Sequence, residues 1–251
     1  MMILTIAKHE LRSMFLSPLA WSILAVVQLI LAYMFLAQLD DFLLLQPKLL
    51  QLSNPPGITD IIAAPLFSMA GIIMLMVTPL LTMRLISEER RNKTLSLLFS
   101  APISMTEIIL GKYLGLMFFL SIMLIMISLM PLSLALGTQL DYGQLAASIL
   151  GMFLLLASFA AAGLFLSTMT EQPTVAAVSS FGLLLLLWII DLFGSGATQT
   201  GSVLSYLSLI RHHEALTKGL FNSSDIIYYL LFVFTFLVLA IRRLDAERIQ
   251  D

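Results

Sequence analysis

Ser87-Glu88-Glu89-Arg90-Arg91-Asn92-Lys93-Thr94-Leu95-Ser96-Leu97-Leu98-Phe99-Ser100-Ala101-Pro102-Ile103 is the only long charged segment of this chain that lies between two very apolar ones. It continues through Ser104-Met105-Thr106-Glu107-Ile108-Ile109-Leu110-Gly111-Lys112. Five of the chain's 13 Lys and Arg residues fall between Arg84 and Lys112. Charge gathered into one loop between membrane-length apolar runs marks that loop as the surface a membrane protein offers to a soluble partner.

The flanking composition fixes the class. The chain has 251 residues, 59% hydrophobic and 11% charged, whereas a soluble domain carries about 25% charged residues. It reads as an all-α polytopic membrane protein, one domain over 1–251. There are no cysteines, which excludes disulfides and thiolate metal sites. A helix needs about 20 apolar residues to cross the hydrocarbon core. Six uncharged runs meet or approach that length: 19–37, 61–83, 114–137, 145–169, 173–190 and 226–241. The last is short, but Arg242 and Arg243 can snorkel at one end and Tyr228 and Tyr229 can anchor the other. The first run is too long for the apolar core of a signal peptide, and no cleavage pattern follows it, so it reads as a retained span.

Positive charge sets the expected orientation. Lys8, Arg12, Arg84, Arg90, Arg91, Lys93, Lys112, Arg242, Arg243 and Arg248 fall on one side of six spans, against Lys48, Arg211 and Lys218 on the other. Both termini are therefore expected in the cytoplasm. On the outer side, 38–60 reads as an irregular loop, 138–144 as a tight turn, and 194–225 as a longer segment with apolar pieces around 204–209 and 216–221.

The inner face has its own local grammar. Residues 2–15 form a candidate interfacial helix. At about 100° per residue, Ile3, Leu4, Ala7, Leu11, Met14 and Phe15 share an arc of about 120°, opposite Thr5, Lys8, His9, Arg12 and Ser13. Pro18 ends it. In the loop, Leu95, Leu98 and Phe99 share one face of a short amphipathic helix that Pro102 stops, a shape suited to docking in a groove. Ser104 and Glu107 have capping-box spacing, with Ile103 and Ile108 as the hydrophobic staple. A helix is thus expected from about Ser104 straight into the third span.

These residues carry a resemblance. Glu88-Glu89-Arg90, Thr94-Leu95, Leu98, Pro102, Ile108 and Gly111-Lys112 resemble the signature of type-2 ABC-transporter permeases, E-E-[RK]-x-x-G-T-[LI]-E-x-L-L-x-x-P-[IV] followed by I-[VL]-x-G-K. The opening Lys8-His9-Glu10-Leu11-Arg12, with Ser17-Pro18, is similar to that family's K-E-[LF] start. Leu166 to Gln172 is similar to its short turn between spans four and five. Arg211-His212-His213-Glu214 with Lys218-Gly219 and Asp225 is similar to a segment of the gliding-motility branch. Two positions depart from the pattern: Lys93 stands where Gly is usual, and Ser96 where Glu is usual.

The resemblance implies a permease subunit with six spans, an elbow helix bearing Lys8, Glu10, Leu11 and Arg12, and a coupling helix between spans two and three. Glu88, Glu89, Arg90, Thr94, Leu95, Leu98, Phe99, Pro102, Gly111 and Lys112 would form the ATPase-coupling element. It also implies a bacterial inner-membrane location and export driven by a separate cytoplasmic ABC ATPase, which binds ATP and Mg. A second permease copy or a sister permease would complete the pore. The chain itself would hold no cofactor and bind no nucleic acid, its remaining surroundings being the lipid bilayer. An alternative is a membrane subunit relaying mechanical force to an envelope or gliding machine, beside a membrane protein with a large outer domain.

Other chemistry fits less well. No G-x-x-x-x-G-K-[ST] phosphate loop is present, since Thr106 stands where the first Gly is needed and Tyr113 follows Lys112. His212-His213-Glu214 are adjacent, and adjacent residues on a helix do not share a face as metal ligands must. They read as polar residues of an outer loop, at an interface or in solvent. Asp191 reads as a helix-end residue at the outer boundary. An ion-driven carrier would need ionisable groups at the membrane midplane, and all six apolar cores are free of charge.

Overall fold

A run of uncharged Leu, Ile, Met, Ala and Phe with few helix breakers leaves the backbone one way to satisfy itself in lipid, the α-helix. The computed structural model describes residues 2–49, 57–94, 103–194 and 206–248, and among these there is no strand. The helices are α1 (Met2–Leu16), α2 (Pro18–Leu49), α3 (Ala64–Thr82), α4 (Ser87–Arg91), α5 (Met105–Ser133), α6 (Tyr142–Met169), α7 (Pro173–Gly194), α8 (Leu209–Thr217) and α9 (Ser223–Arg248). A π-helical turn, Thr59–Ala63, leads into α3, and a 3-10 turn, Leu134–Leu136, follows α5. Six helical segments are long and apolar enough to cross a membrane: Pro18–Pro47, Thr59–Arg91, Met105–Leu136, Tyr142–Met169, Pro173–Ile190 and Ser223–Arg248. The chain is a multi-pass membrane protein.

Every predicted span falls on one of these segments, the third running one residue past Leu136. Two outer segments differ from expectation. Residues 38–49 are not an irregular loop but the continuation of α2, with Pro47 inside its last turn. Asp40 and Asp41 do not interrupt it, because Leu, Phe and Gln around them propagate a helix at little cost. In the segment after α7, α8 sits between the two apolar pieces expected there. Its Leu209, His212, His213, Leu216 and Thr217 are buried. That i, i+3, i+4, i+7, i+8 spacing gives one inward stripe.

α6 is the centre of the bundle and packs against α3, α5, α7, α8 and α9. Ala160, Ala161 and Ala162 are fully buried on successive faces, and two glycines let neighbours approach closely. A Cβ on Gly163 would lie 2.8 Å from the Thr82 Cβ, and one on Gly151 would lie 2.8 Å from the Leu216 Cβ. Away from the basic clusters, α6 begins at an Asp141 cap, whose Oδ1 accepts from the Gly143 and Gln144 amides. The Gln144 Nε2 donates to Asp60 Oδ1 at 2.6 Å and to the Thr217 carbonyl at 3.1 Å, joining the π-turn to α8.

Candidate functional site

The basic clusters meet at one end of the bundle, and the charged loop supplies most of the contacts. α3 gives way to α4 through a turn over 83–86. The free amides at the start of α4 find a partner on another helix. Ser167 Oγ of α6 accepts from the Ile86 and Ser87 amides at 3.2 and 3.1 Å. It also donates to the Met83 carbonyl at 3.2 Å, which uses the full capacity of one hydroxyl. Ser87 Oγ donates to the same carbonyl. The position of α4 is thereby set by α6.

α4 has Glu88 and Glu89 at its start and Arg90 and Arg91 at its end, the order that suits a helix dipole. Arg90 reaches across the bundle, donating to the Thr168 carbonyl at 2.7 Å and to Glu247 Oε2 at 2.5 Å. It thus ties α4 to the ends of α6 and α9. α4 closes in a Schellman turn. The Thr94 amide bonds the Glu89 carbonyl, the Lys93 amide bonds that of Arg90, and Lys93 itself has φ of 57°. Thr94 Oγ1 donates to the same Glu89 carbonyl. Lys93 therefore occupies a left-handed position, one that glycine adopts without a Cβ penalty.

The capping box forms as the spacing predicts. The Glu107 amide donates to Ser104 Oγ, and the Ser104 amide donates to Glu107 Oε2, both at 3.2 Å. Ile108 is buried and Ile103 packs against the core. From this cap α5 runs without a break into its span.

About two turns beyond the cap, Lys112 is the point where the charged elements converge. Its ammonium lies 3.0 Å from Glu10 Oε2 of α1 and 2.8 Å from Glu89 Oε1 of α4. Its side chain is only 6% exposed, so the two pairings replace water and lock three helices around one charge. Gly111 and Gly115 make the approach possible. A Cβ on Gly111 would lie 2.7 Å from Ile6, and one on Gly115 would lie 2.7 Å from Glu10 and 2.9 Å from the Ala7 carbonyl. α1 faces α5 through Ile3, Ile6, Ala7 and Glu10. Leu4, placed on the apolar arc by the sequence, is 64% exposed. The shift of face has a local cause: the backbone contact at the two glycines, not apolarity alone, orients α1.

The structure thus brings together Glu10, Glu89, Gly111 and Lys112, with Arg90 and Thr94 holding α4. Leu11 packs against the core, while Lys8, Arg12 and Glu88 are exposed. Leu95, Leu98, Phe99 and Pro102, and with them the expected coupling helix, lie outside the described residues. Sequence reading missed Gly115, Ser167 and Glu247. The Gly111-x-x-x-Gly115 spacing was a usable signal for the first. The other two act across about 80 and 157 positions of chain, and nothing local announces them.

The histidines at the opposite end are buried, not loop residues in solvent. His212 Nδ1 is 2.6 Å from Asp225 Oδ1, and its Nε2 is 2.8 Å from the Tyr206 carbonyl. A carbonyl can only accept, so Nε2 carries a proton, and Nδ1 and Asp225 share another. Tyr228 stacks on the ring at 4.2 Å. His213, on the same inward stripe, meets the Phe67 carbonyl instead, and burial pushes its pKa down to about 4. Glu214 pairs with Lys218 on the exposed side. The three adjacent side chains thus take three different partners.

The sequence model of the family described as ABC-2 family transporter protein matches residues 4–247. No curated protein matches the chain.

Proposed function

This chain belongs to the ABC-2 transporter family and is a membrane subunit of an ABC transporter; we propose that it is the permease half of an ATP-driven exporter, with the loop opened by α4 as its coupling element. The observation that carries this reading is the buried Lys112, held at once by Glu10 of α1 and Glu89 of α4. A push on α4 is transmitted through that ammonium to the start of α5 and to the elbow helix together. Arg90 passes the same motion to α6 and to the end of α9. Rigid α5, capped at Ser104 and unbroken into its span, carries it across the membrane.

Hydrolysis belongs to a separate cytoplasmic ATPase, which binds ATP and Mg. Leu95, Leu98 and Phe99 insert into a cleft on that ATPase, and the charges of α4 fix its orientation more than its affinity. The whole of 1–251 acts as one permease domain in the plasma membrane of a bacterium, with both termini cytoplasmic, as the ten-to-three division of Lys and Arg supports. A second copy or a sister permease completes the pore.

Co-purification with the ATPase tests the coupling role. Truncating an apolar anchor at the centre of an interface costs about 1–2 kcal/mol or more. Leu98→Ala and Leu98→Asp are therefore expected to weaken ATPase recovery while membrane insertion stays intact. Lys48→Ala, on the opposite side, leaves recovery unchanged. Full ATPase binding and stimulated turnover in both Leu98 variants would remove the coupling role from this loop.

A further inference from the structure

A cavity of about 640 Å³ opens at the basic end, between α1, the start of α2, the end of α3, α4 and the start of α5. Small-molecule sites commonly measure about 300–1,000 Å³. Its walls divide by chemistry. Leu19 and Ala20, in the first turn of α2, and Leu80 and Leu81, in the last turn of α3, supply an apolar lining. These turns lie at the basic-side ends of the uncharged runs 19–37 and 61–83. Arg84, Glu88, Glu89 and Lys112 line the same cavity with charge.

The charges are incompletely matched. Among the described residues, Arg84 has no carboxylate within ion-pair distance, and Lys112 is already shared by Glu10 and Glu89. Glu88, exposed at the start of α4, has no cation within ion-pair distance among the described residues. With His9 counted neutral, Glu10, Glu88 and Glu89 against Arg84 and Lys112 leave the wall with one negative charge in excess.

We infer that this cavity binds the head of a zwitterionic phospholipid bearing a primary ammonium, drawn from the leaflet at the basic end. Its phosphate pairs with Arg84. Its ammonium sits against Glu88 and donates to that exposed carboxylate. Its acyl chains begin along Leu19 and Leu80. The charge pattern selects the head group. An anionic head brings a phosphate but no cation, and meets the excess negative charge. A choline head brings a cation with no N–H, so it cannot hydrogen-bond Glu88. The binding does not depend on the direction of transport or on the ATPase.

Titration of the delipidated, detergent-solubilised full chain with phosphatidylethanolamine, phosphatidylcholine and phosphatidylglycerol of identical acyl chains, read by native mass spectrometry, tests this. Phosphatidylethanolamine is expected to bind about tenfold more tightly than either of the others, the scale of one charge-assisted hydrogen bond. Arg84→Gln is expected to weaken it by a similar factor. Glu88→Gln, at an exposed residue, is expected to narrow the preference for ethanolamine over choline, and Lys218→Ala to change nothing. Equal retention of the three lipids by the unaltered chain would overturn the proposal, whatever the variants do. So would tight ethanolamine-lipid binding that Arg84→Gln leaves unchanged.

Discussion

Lys93 shows how one residue can mark a backbone requirement that its own chemistry does not meet. Its φ of 57° closes the Schellman turn after α4, and that turn aims the chain into the loop assigned to coupling. A Cβ in the left-handed region costs about 1 kcal/mol or somewhat more. Lys93→Gly and Lys93→Ala both delete the side chain, so they differ chiefly in that cost. The glycine variant is expected to be more stable than the alanine variant by about 1 kcal/mol, measured by thermal unfolding in detergent. Equal stabilities would mean that the position carries no left-handed constraint. His213 makes a second point at this scale. It sits beside His212 and Glu214 in sequence, and burial without a carboxylate partner holds it neutral down to about pH 4.

At the scale of elements, the junction of α1 with α5 is the most exacting packing at the basic end. Gly111 and Gly115 let the α1 backbone lie directly on α5, and the same approach brings Glu10 to Lys112. An added methyl at either glycine has to displace Cβ atoms or a carbonyl, not the tip of a flexible side chain. Gly111→Ala and Gly115→Ala are each expected to cost about 1–3 kcal/mol, the range for overpacking. Gly182 of α7 has nothing within 4 Å of its added Cβ. Gly182→Ala is therefore expected to be neutral, or to gain about 0.5–1 kcal/mol from the loss of helical glycine. Thermal melting of the three variants decides it, and indistinguishable values would contradict the close contact. The capping box at Ser104 is the contrasting case, since every atom it needs lies within four residues.

The whole molecule is organised around α6, with α2, α7 and α9 presenting apolar faces outward, where Val26, Leu29, Val178, Leu186 and Phe234 are exposed. Six crossings place the two ends of the chain on one side, and the Arg90–Glu247 and Lys112–Glu10 pairs join the basic clusters there. Because the chain has no cysteine, single cysteines at Ser13, Ser53 and Ser96 report sidedness directly. Ser53 is expected to label in intact cells, and Ser13 and Ser96 only after permeabilisation; labelling of Ser96 from outside would invert the orientation. Composition and charge alone determined the all-α class, the six spans and the grouping of basic residues, because lipid forces backbone satisfaction within each apolar run. The capping box and the N-terminal helix were legible for the same reason: their signals are local. The extension of α2 through residues 38–49 was missed because two acidic residues and a proline resemble a loop without breaking the helix. Only the tertiary structure decided that Lys112 takes both Glu10 and Glu89, that Ser167 caps α4, that Arg90 reaches Glu247, and that α8 folds inward with both histidines buried. Each of these is a pairing across many positions of chain, and periodicity records which face of a helix is apolar but not which distant group will meet it.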